Sequence, residues 1–79
     1  ILDATYRELS PGDVRFVRAM LADEGDSRIA DLVARLDRSS AQVAQYRKRL
    51  IEAGVIGERG RGVVGFDLPY FREDLIEQQ

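Results

Sequence analysis

Apolar residues recur at three- and four-residue steps in three successive stretches of this chain, and each stretch opens and closes on residues suited to helix ends. In the first, Val14, Val17, Met20 and Leu21 form one stripe with Phe16 beside it. Ser10-Pro11-Gly12-Asp13 precedes it. Ser10 supplies a cap, Pro11 suits the first helical position, and Asp13 faces the positive helix end. Leu9 and Val14 are spaced as a hydrophobic staple. The spacing predicts a helix from 11 to about 23, stopped by Glu24-Gly25-Asp26. In the second stretch Ile29, Leu32, Val33 and Leu36 mark one buried face, with Ser27 as the expected cap. The polar break Asp37-Arg38-Ser39-Ser40 follows. Many helix-turn-helix sequences place glycine at the position of Asp37, and aspartate tolerates the left-handed conformation better than most residues.

The third stretch, capped by Ser39 or Ser40 and closed by Gly54, turns Val43 and Leu50 inward, with Arg47 on the same side and Tyr46 at its edge. Beyond it the pattern changes to a short hairpin. Val55 and Ile56 open one strand, Gly60-Arg61-Gly62 is the turn, and Val63 to Phe66 return; glycine at both turn flanks permits positive φ. Leu68 to Ile76 reads as a last helix starting at Pro69, with Tyr70, Phe71 and Leu75 packing back on the first helix. Residues 1–9, with Tyr6 and Leu9, read as a linker or docking arm, and 10–79 as one domain. The expected fold is mainly α with a small β-hairpin: a winged helix-turn-helix with a three-helix core, a wing hairpin and a short C-terminal helix.

Seventy-nine residues allow one small domain, burying only about 60% of its unfolded surface. With no cysteine and no histidine, neither disulfides nor the commonest metal ligands are available, and no Ser-His or Cys-His nucleophile can form. The glycines lead into a strand, whereas a phosphate-binding loop must open a helix. The acids form no pair suited to general acid-base work. The chain is therefore expected to lack catalysis of its own. No apolar run approaches the roughly 20 residues that span a bilayer, so no membrane partner is expected, and the absence of cysteine fits a reducing, cytoplasmic setting. The chain opens at Ile1, and Ile1-Leu2-Asp3 reads as the interior of a longer protein.

Net charge is −2 and the isoelectric point near 5.0, but the charge is uneven. Residues 1–27 carry −3, residues 28–38 carry +1, residues 39–62 carry +3 and residues 63–79 carry −3. The positive excess lies on the third helix and hairpin, where a winged helix meets phosphate. Periodicity points Ala41, Gln45, Lys48 and Glu52 outward, with Gln42 and Arg49 flanking them. Ser40 joins the candidate DNA contacts, Ala41 allows close approach, Gln42 and Gln45 can pair with adenine, and Lys48 and Arg49 can reach phosphate or guanine. Arg59 and Arg61, read as hairpin-tip residues, could lie on the backbone or in a minor groove. The plain alternative is a solvated helix face and a hairpin whose edges are blunted by charge.

Three pieces carry a family resemblance: Leu9-Ser10-Pro11-Gly12-Asp13-Val14-Arg15-Phe16 with Ala19-Met20; Ser27 to Leu32 with Tyr46-Arg47-Lys48-Arg49-Leu50-Ile51-Glu52-Ala53-Gly54-Val55-Ile56; and Gly60-Arg61-Gly62 through Phe66-Asp67-Leu68-Pro69-Tyr70-Phe71. Together they resemble the C-terminal winged-helix domain of bacterial and archaeal AAA-type ATPases, relatives of the archaeal ATPase and origin-recognition initiator group. The resemblance implies an ATPase module before Ile1, with ATP and Mg bound there. No cofactor is expected in the chain itself, since no Walker-type motif is present. It also implies a recognition helix over 40–53 and a wing over 55–66. Two readings follow: a domain that binds double-stranded DNA, helped by its parent or by homo-oligomerisation, or a protein-interaction module docking on the parent ATPase. Steep salt dependence distinguishes the first.

Overall fold

The computed structural model describes residues 9–68 and 71–77. These form four helices and three strands in the order α1 (Pro11–Met20), β1 (Ser27–Arg28), α2 (Ile29–Leu36), α3 (Ser40–Glu52), β2 (Ile56–Gly60), β3 (Val63–Phe66) and α4 (Phe71–Glu77). The strands make one antiparallel sheet in the order β1-β3-β2, so the return strand lies in the middle. The arm proposed for 1–9 lies outside the described residues except for Leu9, which packs against the core; Pro69 and Tyr70 also lie outside them.

Helix α1 starts as its sequence dictates. The Asp13 amide donates to Ser10 Oγ (3.2 Å) and the Ser10 amide to Asp13 Oδ2 (3.3 Å), a reciprocal capping box with Pro11 in the first turn. It ends three residues earlier than the spacing predicts. The chain turns after Met20, with the Asp23 amide bonded to the Met20 carbonyl (3.1 Å). The Asp23 carboxylate accepts from the Ser27 hydroxyl (2.7 Å) and from both terminal nitrogens of Arg35 (2.7 and 3.0 Å). That tertiary use of Asp23 holds the segment out of the helix.

Ser27 is not the cap of α2. It is fully buried in β1, paired with Val64, and Arg28 occupies the cap position without a side-chain cap bond. A two-residue strand carries no alternation that a sequence could display, so a lone hairpin is expected where a three-stranded sheet forms. Asp37 takes the left-handed conformation expected of it (φ 52°, ψ 45°), and Ser39 caps α3 by accepting from the Gln42 amide (3.2 Å). Helix α3 closes in a Schellman motif: the Val55 amide reaches Leu50 O and the Gly54 amide reaches Ile51 O, both at 3.0 Å, with Gly54 at φ 79°. Val55 is spent in that closure, so β2 begins at Ile56 instead.

The core lies between α1, α2, α3 and the sheet. Phe16, Val17 and Met20 meet Leu32, Val43 and Leu50 beneath Val55, Ile56 and Val64, with Phe71 and Leu75 completing it from α4. Each such side chain contributes about 1.5–3 kcal/mol on burial. Phe66 and Phe71 stack at a tilt, centroids 5.9 Å apart. Arg72 ties α4 to the end of α1 by donating to the carbonyls of Leu21 (3.2 Å) and Asp23.

Candidate nucleic-acid interface

Helix α3 has two unlike faces. Val43 and Leu50 are fully buried, while Ser40, Ala41, Gln42, Gln45, Lys48 and Arg49 are exposed along the opposite side. From Arg38 to Ile51 the sequence contains no carboxylate, although the chain has 14 acids. The exposed face is therefore polar and cationic over most of its length, with Glu52, the one acid of α3, at its C-terminal end four residues from Lys48. Asp37 and Ser39 place it: one permits the sharp reversal after α2, the other caps the new helix.

The cations of α3 and the hairpin divide into held and open ones. Arg49 donates to Ser10 Oγ (3.0 Å) and Asp13 Oδ1 (3.1 Å), and its guanidinium lies 5.7 Å from the Tyr46 ring centroid. It docks α3 on the start of α1, against a carboxylate that is 7% exposed. Arg47, expected on the inner side with Val43 and Leu50, pairs with Glu58 and so joins α3 to β2. Arg59 is not at the hairpin tip. It is the extra residue of a bulge between Glu58 and Gly60. Its side chain bonds Asp67 Oδ1 (2.5 Å) and the Phe66 carbonyl (2.9 Å) and approaches Asp26 (4.0 Å).

Lys48 and Arg61 are exposed and make no ion pair among the described residues. Arg61 occupies the turn itself, next to Gly62 at φ 70°; Gly60 does not take positive φ, so only one turn glycine is used as expected. Arg38 in the polar break and Arg28 in β1 are likewise exposed cations without an ion pair among the described residues. Sequence reasoning passed over both. The acid-free run that begins at Arg38 was a usable signal; for Arg28 there was none, because its neighbours in space come from β3.

The best-buttressed ion pair lies away from this surface. Arg35, hydrogen-bonded to Asp23 and to the Ala19 carbonyl (3.1 Å), holds α2 against the loop after α1. Hydrogen bonds from Arg35 and then Ser27 lower the Asp23 carboxyl from 3.8 to about 2, and Asp23 raises Arg35 in return.

Among the described residues no group of three or more His, Cys, Asp or Glu could hold a metal ion, and no helix is long and apolar enough to cross a membrane. No curated protein and no solved structure matches the chain. The family described as a domain of unknown function, DUF8462, matches residues 1–75. With that match over almost its whole length, the chain belongs to the DUF8462 family.

Proposed function

We propose that this domain is a winged helix that binds duplex DNA, with α3 in the major groove and the hairpin turn on the backbone. The observation that carries this reading is the outer face of α3, without an acid from Ser40 to Ile51 and with Glu52 only at its last position, presented by a left-handed Asp37 and a Ser39 cap directly before a hairpin. The element order and the β1-β3-β2 sheet suit a winged helix. The contacting set is Ser40, Ala41, Gln42, Gln45, Lys48 and Arg61. Arg49 and Arg59 serve the domain's own packing. The amides supply readout of adenine, the small residues allow approach, and the cations contact phosphate. Catalysis is assigned to the ATPase partner that the sequence resemblance implies, not to this domain.

Docking on a protein partner is the second reading. The isoelectric point near 5.0 and the internal pairing of Arg47, Arg49 and Arg59 favour it. Fluorescence anisotropy with a mixed-sequence labelled duplex, at low and at physiological salt, separates the two. DNA binding predicts affinity that falls with salt, and Lys48→Ala should make the slope of log K against log salt shallower by about 0.9, one phosphate contact. Lys48 is the clean probe, because removing Arg49 also strips the cation from Asp13. No binding at low salt would transfer the surface to a protein partner.

A further inference from the structure

An open groove lies between the start of α2 and the hairpin turn, floored by Ile29, Ala30, Gly62 and Val63 and edged by Arg28 and Arg61. The two arginines come from segments that the backbone locks together. Arg28 pairs with Val63 across the β1-β3 ladder, and the Ile29 amide donates to the Gly62 carbonyl (2.8 Å). Both side chains are exposed. Of the acids near Arg28 in sequence, Asp26 faces Arg59 at 4.0 Å, and Asp31 makes no ion pair with Arg28 or Arg61 among the described residues. The groove thus brings together two guanidiniums without a carboxylate partner among the described residues, on a rigid frame. Guanidinium presents a fork of donors that matches phosphate oxygens.

We infer that Arg28 and Arg61 together grip one backbone phosphate of the duplex engaged by α3, making β1 part of the DNA-binding surface. This rests on the DNA-binding reading and extends it to a residue outside the helix-turn-helix and the wing. The occupant is a phosphodiester rather than a base, because paired guanidiniums over a shallow floor recognise oxyanion charge and offer no groove-shaped edge.

The test measures duplex affinity against salt for the wild-type chain, Arg28→Gln, Arg61→Gln and the double variant. Arg15→Gln on α1 serves as a control of equal charge loss, and far-ultraviolet circular dichroism monitors folding. Arg28→Gln should weaken binding while Arg15→Gln leaves it near wild type. The double variant's salt slope should be shallower by about 0.9, the value for one phosphate. Its affinity loss should be smaller than the product of the two single losses, since both residues hold one group. An Arg28→Gln variant that is folded and binds with wild-type affinity and slope would overturn the shared site, as would single losses that multiply independently. The first of these outcomes, with Lys48→Ala still weakening binding, would leave the DNA reading intact; a wild-type chain that binds no duplex at low salt would overturn both.

Discussion

Arg59 and Arg61 stand two residues apart in one hairpin and do opposite things. In β2, just before the turn, a bulge turns Arg59 back across the sheet to Asp67, the Phe66 carbonyl and Asp26. At the turn, Arg61 stays in solvent with no ion pair among the described residues. Helix α3 repeats the division: Arg49 is held by Ser10, Asp13 and Tyr46, whereas its neighbour Lys48 makes no ion pair among the described residues. A count of basic residues therefore overstates the charge that a ligand can use. The held cations fix α3 and the hairpin to the rest of the domain, and the open ones define the surface that these fixed elements present.

The largest effect should come from the inner side of α3. Leu50→Ala is expected to destabilise by about 2–5 kcal/mol, as truncation of a fully buried leucine does, while Gln45→Ala on the outer side stays within about 0.5 kcal/mol. Equal urea midpoints for the two variants would erase the distinction between the faces. Next comes the held end of α3. A Cβ at Gly12 would lie 2.6 Å from Tyr46 Cε1, inside any normal contact. Gly12→Ala should therefore cost about 1–3 kcal/mol by overpacking, and Gly12→Ala with Tyr46→Leu should recover part of that. If Gly12→Ala alone melts like wild type, the α1–α3 contact is looser than described.

The hairpin pair gives a smaller but more selective readout. Arg59→Ala should lower stability by up to about 1 kcal/mol, as partly exposed ion pairs do, and leave DNA affinity unchanged. Arg61→Ala should weaken DNA binding and leave the thermal midpoint unchanged. Swapped results would invert the assignment of held and open arginine. The mildest effect concerns acid. Asp23 is depressed to about 2 in the fold from 3.8, so its ionised form stabilises the domain above pH 3.8, and that contribution is lost as pH falls through 2. Urea midpoints followed from pH 5 towards pH 2 should fall more steeply for wild type than for Asp23→Asn. Parallel curves would show that the Arg35–Asp23 clamp adds nothing.

Much of the local architecture was readable in advance because its causes are local. The capping box of Ser10 and Asp13, the left-handed Asp37 and the Ser39 cap each depend on groups within four residues, as does the closure at Gly54 within five. The same holds for the exposure of Ser40, Ala41, Gln42 and Gln45, which follows from helical period alone. Errors arose where a distant partner intervened. Ser27 looked like a cap and became a buried strand residue because Val64 and Asp23 meet it there. Helix α1 stopped early because Arg35, 12 residues beyond Asp23, takes that carboxylate.

The sequence by itself determined four helices, a hairpin, and the inward and outward sides of α3, since spacing and capping operate along a few residues of chain. Only the tertiary structure decided which cations remain open. The partner of Arg49 lies 36 residues away at Asp13, and Arg28 meets the hairpin turn only through the β1-β3 ladder. Ion pairing depends on distance in space, and folding brings together charges whose separation along the chain carries no trace of their meeting.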